Sequence, residues 1–279
     1  MKIKIILAAI TIGLILGIAF IFWRSSHVPK RKIVIVKKAP APVKKAAKKR
    51  KFIAIQKKHS NPKVAIVIDD FGYNMNNIDR LFAIKRAVTF SVLPNLPYSK
   101  KIASLASSKG YEVILHLPME SVDSSAPAET DTIKTGMGEK DILAVLEKDI
   151  ASVPGLSGVS NHQGSKATED KRCMSIVLSG LKKRSLYFFD SLVTDKSVCR
   201  MAAARWKVPY AKRDIFLDNE NNPEYIEKQM LSLRKMAFKY GSVIAVCHDR
   251  KNTIAVLSKM MPELAEEGIR FVYLSEMVK

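Results

Sequence analysis

The sequence predicts an α/β fold: a distorted barrel of about seven parallel strands, preceded by an N-terminal transmembrane helix and a basic linker. Three observations carry this. From residue 64 onward, short apolar, β-branched runs alternate with longer helix-like segments, the pattern of a parallel sheet. Seven strand-like runs within residues 64–279 suit a closed or nearly closed barrel better than an open sheet. The chain ahead of them differs in kind. Residues 1–68 hold 17 Lys/Arg and no Asp or Glu, whereas residues 69–279 hold 30 Lys/Arg against 26 Asp/Glu.

Residues 5–23, Ile5 to Trp23, are uncharged and apolar apart from Thr11 and two glycines, long enough to span a bilayer as a helix. Lys2 and Lys4 precede the run and Arg24 follows it. No small-x-small cleavage site follows the long apolar core, which favours an uncleaved signal anchor over 1–23; a cleaved signal peptide is the competing reading. Arg24, Lys30, Arg31 and Lys32 load the far side too, so charge alone does not set orientation. Residues 24–62, rich in Lys, Ala and Pro, read as an extended, self-repelling linker that could also touch anionic head groups or acidic wall polymers. The formal charge of +21 first suggests nucleic acid. Most of it belongs to the amino-terminal arm, so no nucleic-acid partner is expected of the fold.

The globular region, 63–279, opens with Val64-Ala-Ile-Val-Ile-Asp69-Asp70-Phe-Gly72. A buried strand that ends in two adjacent carboxylates is costly unless a metal, a shared proton or a catalytic role compensates. Further strand-like runs fall at 88–93, 112–117, 156–160, 186–190, 242–247 and 269–274. Helix-like runs fall at 75–85, 98–109, 139–152, 168–184, 196–205, 222–240 and 251–266. Asn222-Pro223-Glu224 starts one helix, and Gly110 and Gly241 end two others. Asp218-Asn219-Glu220 reads most simply as a cap region, with a substrate loop as the alternative. The loop 118–138 is long for an α/β turn and could wall a groove or be a disordered excursion. Tyr73, Trp206 and Tyr210 could stack on sugar rings or simply pack. Cys173, Cys199 and Cys247 fit no zinc or redox spacing; the first two could pair in an exported domain, and Cys247 reads as a core thiol.

His27 and His59 lie in the linker. The other three histidines, His116, His162 and His248, all sit at the ends of predicted strands, where parallel α/β folds place their chemistry. Together with Asp69-Asp70 they suggest one shared site. Carboxylate and imidazole ligands suit zinc or a similar divalent ion. A second carboxylate can serve as general base and an opposing histidine as general acid.

These residues resemble a family. Ile68-Asp69-Asp70-Phe71-Gly72, Gly110-Tyr-Glu-Val-Ile-Leu-His116 and Gly241-Ser-Val-Ile-Ala-Val-Cys-His248 are similar to the first, second and last motifs of the NodB-type polysaccharide deacetylases. Val88-Thr-Phe-Ser-Val-Leu-Pro94, His116-Leu-Pro-Met-Glu120 and Ser160-Asn-His162-Gln-Gly-Ser165 resemble their divergent branch. The resemblance implies a NodB-like barrel with Asp69 as base, His248 as acid, and Asp70 and His116 as metal ligands. Family members usually carry a second histidine four residues after the first, where this chain has Glu120. The third ligand is then Glu120 or His162, and His162 keeps the usual ligand set. Phe188-Phe-Asp190-Ser191 is similar to the acidic motif that supports the site. The family's Arg-Pro-Tyr motif, which orients the base, is missing, with Lys166 the candidate replacement for its arginine.

The implied protein is a single-pass enzyme of the inner membrane facing the periplasm or cell exterior. It would use a divalent metal, expected to be zinc, to remove acetyl groups from an envelope polysaccharide or peptidoglycan. The alternative is a catalytically inactive envelope protein that binds glycan or a wall-remodelling partner through the same cleft.

Overall fold

The computed structural model describes residues 59–125 and 128–279. The expected membrane span and the linker up to residue 58 lie outside the described residues. Among the described residues, no helix is long and apolar enough to cross a membrane.

Nine strands form one sheet: β1 (Lys63–Phe71), β2 (Thr89–Val92), β3 (Glu112–Met119), β4 (Gly158–Gln163), β5 (Tyr187–Asp190), β6 (Tyr210–Lys212), β7 (Ile215–Phe216), β8 (Ser242–His248) and β9 (Arg270–Val272). Their order is β6-β5-β4-β3-β2-β1-β8-β7, with β9 pairing the start of β1 ahead of β2. Every pairing is parallel. Helices α1 (Ile78–Ile84), α2 (Ser99–Ser108), α3 (Glu139–Ser152), α4 (Lys171–Lys183), α5 (Cys199–Trp206), α6 (Pro223–Tyr240) and α7 (Lys251–Glu266) fill the crossovers.

The expected strands and helices all form. The helix expected at 168–184 divides at Asp170, which is extended and accepts from Cys173 N, separating a 3₁₀ turn (Ala167–Glu169) from α4. β6 and β7 are the additions. They are consecutive in the chain yet lie at opposite edges of the sheet, separated only by Arg213 and Asp214. So short a link spans about 11 Å when extended. The sheet must therefore curl into a half-barrel whose edges are bridged by this link.

Side chains of β1 alternate between two apolar clusters, as period-two geometry requires. Val64, Ile66 and Ile68 join the large core beneath the helices, while Ala65 and Val67 face the inside of the curl with Ile114, Phe189 and Val246. Both faces are covered, which is why the strand reads as a continuous apolar run. At the amino-terminal ends of the strands, Glu112 accepts from Thr89 Oγ1, Tyr187 Oη and the amides of Leu274 and Ser275. A Cβ on Gly158 would lie 2.3 Å from the Tyr187 ring, so that strand crossing requires glycine.

Loop 128–138 is not a free excursion. Ile133 bridges Met119, and Glu120 N donates to Ile133 O. Behind it, Asp149 of α3 is fully buried. Its Oδ1 accepts from Asn95 Nδ2 at 2.8 Å, while Oδ2 has no hydrogen-bond partner. Burial, and then the charge of Asp131, push its pKa up to about 7. A carboxyl raised on folding holds its proton longer in the native state, so stability falls as pH rises from the unfolded value through the folded one. Asp149→Asn is therefore expected to change Tm little near pH 4, close to the unfolded carboxylate pKa, and to raise stability increasingly toward pH 8, by roughly 2–4 kcal/mol there, read by thermal melts at the two pH values.

Candidate functional site

The site is assembled at the carboxyl ends of β1, β3, β4 and β8. Register does much of the work: Asp69 stands opposite His248, and Pro118 opposite His162. Adjacent residues of a regular strand point to opposite faces. Here the pairing of β1 with β2 shifts between Ile68 and Phe71, and Asp70 takes φ 66°, a left-handed conformation that aspartate tolerates better than most residues. The irregularity lets two consecutive carboxylates serve one site. Gly72 follows at φ 135°, and a Cβ there would meet Ser99 Oγ at 2.9 Å. The sharp exit from β1 thus depends on glycine.

Asp70 is the hub. Its Oδ1 lies 3.4 Å from His116 Nε2 and 3.2 Å from His162 Nδ1, and its Oδ2 lies 3.8 Å from His248 Nε2. Burial raises the Asp70 pKa, but hydrogen bonds from His116 and His162 outweigh it and hold the carboxyl well below its ordinary range. Ligand atoms of Asp70, His116 and His162 lie within 4.8 Å of one another, so the three could hold a metal ion. The donor set, two imidazoles and one carboxylate, fits a borderline divalent cation. His116 Nδ1 shares a hydrogen bond with Ser160 Oγ at 2.8 Å, and Ser160 Oγ one with Ser91 Oγ at 2.9 Å, which aims Nε2 at Asp70.

Asp69 is almost fully buried, 3.6 Å from His116 Nδ1, and its Oδ1 has no hydrogen-bond partner among the described residues. Burial, reinforced by the neighbouring Asp70 charge, pushes its pKa up against the pull of His116. A carboxylate raised this way is a stronger base.

His248 is held by a residue that sequence reasoning placed in a cap. Asp218 is wholly buried. Its Oδ1 lies 3.0 Å from His248 Nδ1, and its Oδ2 accepts from His248 N at 3.0 Å and Thr253 Oγ1 at 2.7 Å. The cap of α6 is instead Asn222, which accepts from Tyr225 N. Burial lowers the His248 pKa, but its bond to Asp218 outweighs that and leaves it raised. The same bond depresses Asp218 against burial. A signal was present: Ile215-Phe216-Leu217-Asp218 repeats in miniature the apolar run ended by a carboxylate seen at Asp69.

Glu120 does not face the cluster. Burial raises its pKa, but hydrogen bonds from Lys166 Nζ and from Thr135 Oγ1 and N together outweigh it and lower it to about 2. Lys166 is engaged there and does not approach Asp69. The cation that faces Asp69 and Asp190 is Arg213, from the β6–β7 link, where burial lowers its pKa against both carboxylates. Its Nε and Nη2 donate to the carbonyls of Ser191 and Leu192, and its guanidinium lies 5.1 Å from the Phe216 ring, itself 5.2 Å from His248.

Asp190 does not join the Asp70–His116–His162 cluster. It accepts from Leu192 N, Ser197 Oγ and Tyr210 Oη, supporting the loop that Arg213 grips. Tyr210 is thereby committed to structure, and Trp206 donates to Ser175 Oγ. Tyr73 stays half-exposed beyond Gly72, its hydroxyl donating to Glu129, and Val122 and Val193 project from the loops after β3 and β5. Cys173, Cys199 and Cys247 are buried free thiols.

A sequence model of the family described as "Divergent polysaccharide deacetylase" matches residues 66–278. An uncharacterized protein of Escherichia coli K12, YibQ, is 35% identical over 202 residues, covering 72% of this chain; the match spans 63% of that relative's length. Among solved structures, the uncharacterized protein ATU2773 of Agrobacterium tumefaciens superposes with a TM-score of 0.73 at 24% identity, covering 79% of this chain and 91% of the other. The Bc1960 peptidoglycan N-acetylglucosamine deacetylase superposes at 0.51 with 14% identity, covering 78% and 88%. These two structures share the fold.

Proposed function

This chain belongs to the divergent polysaccharide deacetylase family, and we propose that it is a membrane-anchored, metal-dependent hydrolase that removes acetyl groups from an envelope polysaccharide. The observation that carries the reading is the division of labour between adjacent carboxylates. Asp70 is held ionised among imidazoles, while Asp69 is raised and its buried Oδ1 is free to take a proton.

Asp70, His116 and His162 would hold the cation, with zinc the expected metal. A bound divalent cation would supply Lewis-acid polarisation of the acetyl carbonyl. Asp69 removes a proton from the attacking water as the new C–O bond forms. His248, fixed through Nδ1 by Asp218, presents Nε2 and gives its proton to the departing sugar nitrogen or oxygen as the acetyl C–N or C–O bond breaks. Acetate leaves, and the proton gained by Asp69 restores His248 through solvent. Arg213 steadies the Asp69 side of the site by charge. Tyr73, Val122 and Val193 offer apolar rim surface against which a sugar ring can lie. The apolar run at residues 5–23 supports anchoring, with the domain outside the cytoplasm.

The test is acetate release from acetylated chito-oligosaccharide and from peptidoglycan, with metal content measured on the same samples. Asp69→Asn is expected to keep the metal and to lose about 10²–10⁴ in kcat, the usual contribution of a general base. Undiminished turnover would remove Asp69 from the mechanism. Metal retention and glycan binding without acetate release by the unaltered chain would establish the non-catalytic reading instead.

A further inference from the structure

We propose that α5 and the seam beside it form a docking face for an anionic membrane surface. Residues 196–213 carry six Lys/Arg and no acid, and residues 171–189 carry five and no acid. Outside these two stretches, residues 69–279 hold 19 Lys/Arg against all 26 Asp/Glu, so the positive surplus of the domain is confined to α4, α5 and their flanks. Of these eleven cations, Arg184 pairs with Glu147 and Arg213 belongs to the site beside Asp190 and Asp69; none of the other nine has an acidic ion-pair partner within 4 Å among the described residues.

The shape matches the charge. α5 is a ridge between two recesses. The recess of about 520 Å³ lies where β6 and β8 do not pair, with Arg200, Lys212 and Lys279 around Val208 and Ile244. Its one acid, Asp214, already accepts from Ile244 N. The other, of about 210 Å³, runs between α4 and α5 beneath Lys171 and Arg205. On the ridge, Met201 is 57% exposed and Trp206 is 37% exposed. Cations around exposed apolar and aromatic side chains are the composition of a surface that meets lipid head groups and the first carbons beneath them.

Position selects a bilayer over a soluble polyanion. Ser242 lines the seam recess and is the register partner of Lys63, the first residue of β1. Lys63 therefore enters the sheet one strand away from the recess, at the same end of β8. Asp69 and His248 lie at the opposite ends of the same two strands. Docking by this face would turn the site away from the lipid, toward polymer. The inference rests on the reading that residues 5–23 anchor the chain.

The full chain carrying Trp23→Phe leaves Trp206 as its single tryptophan. It is placed in vesicles of phosphatidylcholine alone, or of phosphatidylcholine with phosphatidylglycerol, each bearing a nitroxide at head-group depth. Resistance to alkaline carbonate reports anchoring; quenching of Trp206 reports docking. Quenching is expected in the anionic vesicles, weak in the neutral ones, and reversed by high salt in the unaltered face. In Arg200→Glu/Arg205→Glu/Lys212→Glu it should fall about tenfold. Equal quenching in both vesicles, insensitivity to salt, or protection of Trp206 by soluble polyphosphate in preference to anionic lipid would overturn the proposal. If carbonate strips the chain from the membrane, the anchoring reading fails on its own. Salt-sensitive flotation with anionic vesicles, lost in the triple variant, would still support the docking face, and its absence would end it.

Discussion

Replacing Asp70 by asparagine is expected to strip divalent metal from the chain, with an affinity loss of at least about 100-fold and turnover lost with it. Asparagine keeps the size of the side chain and tolerates the left-handed backbone at this position, so the substitution isolates charge. What is removed is the anion that both His116 Nε2 and His162 Nδ1 face at 3.4 and 3.2 Å. Metal analysis after dialysis and a competition titration with a chromophoric chelator read the effect. Retention of metal at full affinity would mean the ion, if any, sits elsewhere. Glu120→Gln is the matched control, because Glu120 is committed to Thr135 and Lys166.

Asp70 also leaves a signature in the metal-free protein. Its pKa is depressed on folding. It therefore contributes stability that is present above the unfolded carboxylate pKa and is lost as pH falls through the folded one. Unaltered chain and Asp70→Asn are expected to differ most at neutral pH and to converge in strong acid.

Much of this site is legible in the sequence, for a physical reason. Strands buried on both faces appear as unbroken apolar runs, so the polar residue that ends each one stands out. Asp69, Asp70, His116 and His248 were legible that way, and His162 nearly so. What could not be read was register and reach. That Asp69 pairs with His248, or that Pro118 brings His162 level with β3, depends on how strands align, which no local pattern states. Strands of two and three residues, β6 and β7, are too short to show a period, so the elements that deliver Arg213 and Asp218 were invisible as strands. Asp218 then reads as a helix cap or substrate-loop residue, and nothing local singles out Arg213. Tertiary packing makes Asp218 a buried, fixed partner of His248 and brings Arg213 within charge range of Asp190 and Asp69.

Asp218→Asn is the sharper test of catalysis, because it leaves the metal-ligand set untouched. Asp218 fixes the His248 tautomer through Nδ1 and also receives His248 N and Thr253 Oγ1. An amide can present one oxygen to these donors but must turn its NH₂ toward another, so the ring loses its support. With the anion gone, burial is no longer outweighed and the His248 pKa falls. A general acid works while it holds its proton, so activity declines as pH rises through that pKa. The alkaline limb of the pH–rate profile is therefore expected to move to lower pH, with kcat down about 100-fold at neutral pH.

Stability should change in the matching sense. A raised histidine stabilises below its unfolded pKa and loses that contribution as pH rises through the folded value. The variant should therefore lose most relative to the unaltered chain near and below neutrality, down to the pH at which Asp218 itself is protonated. NMR titration of the His248 ring in the metal-free protein separates the two effects. A lowered pKa with the ring still ordered supports a positioning role for Asp218. An unmoved alkaline limb, despite a lowered His248 pKa, would show that the proton reaching the leaving group comes from somewhere other than His248.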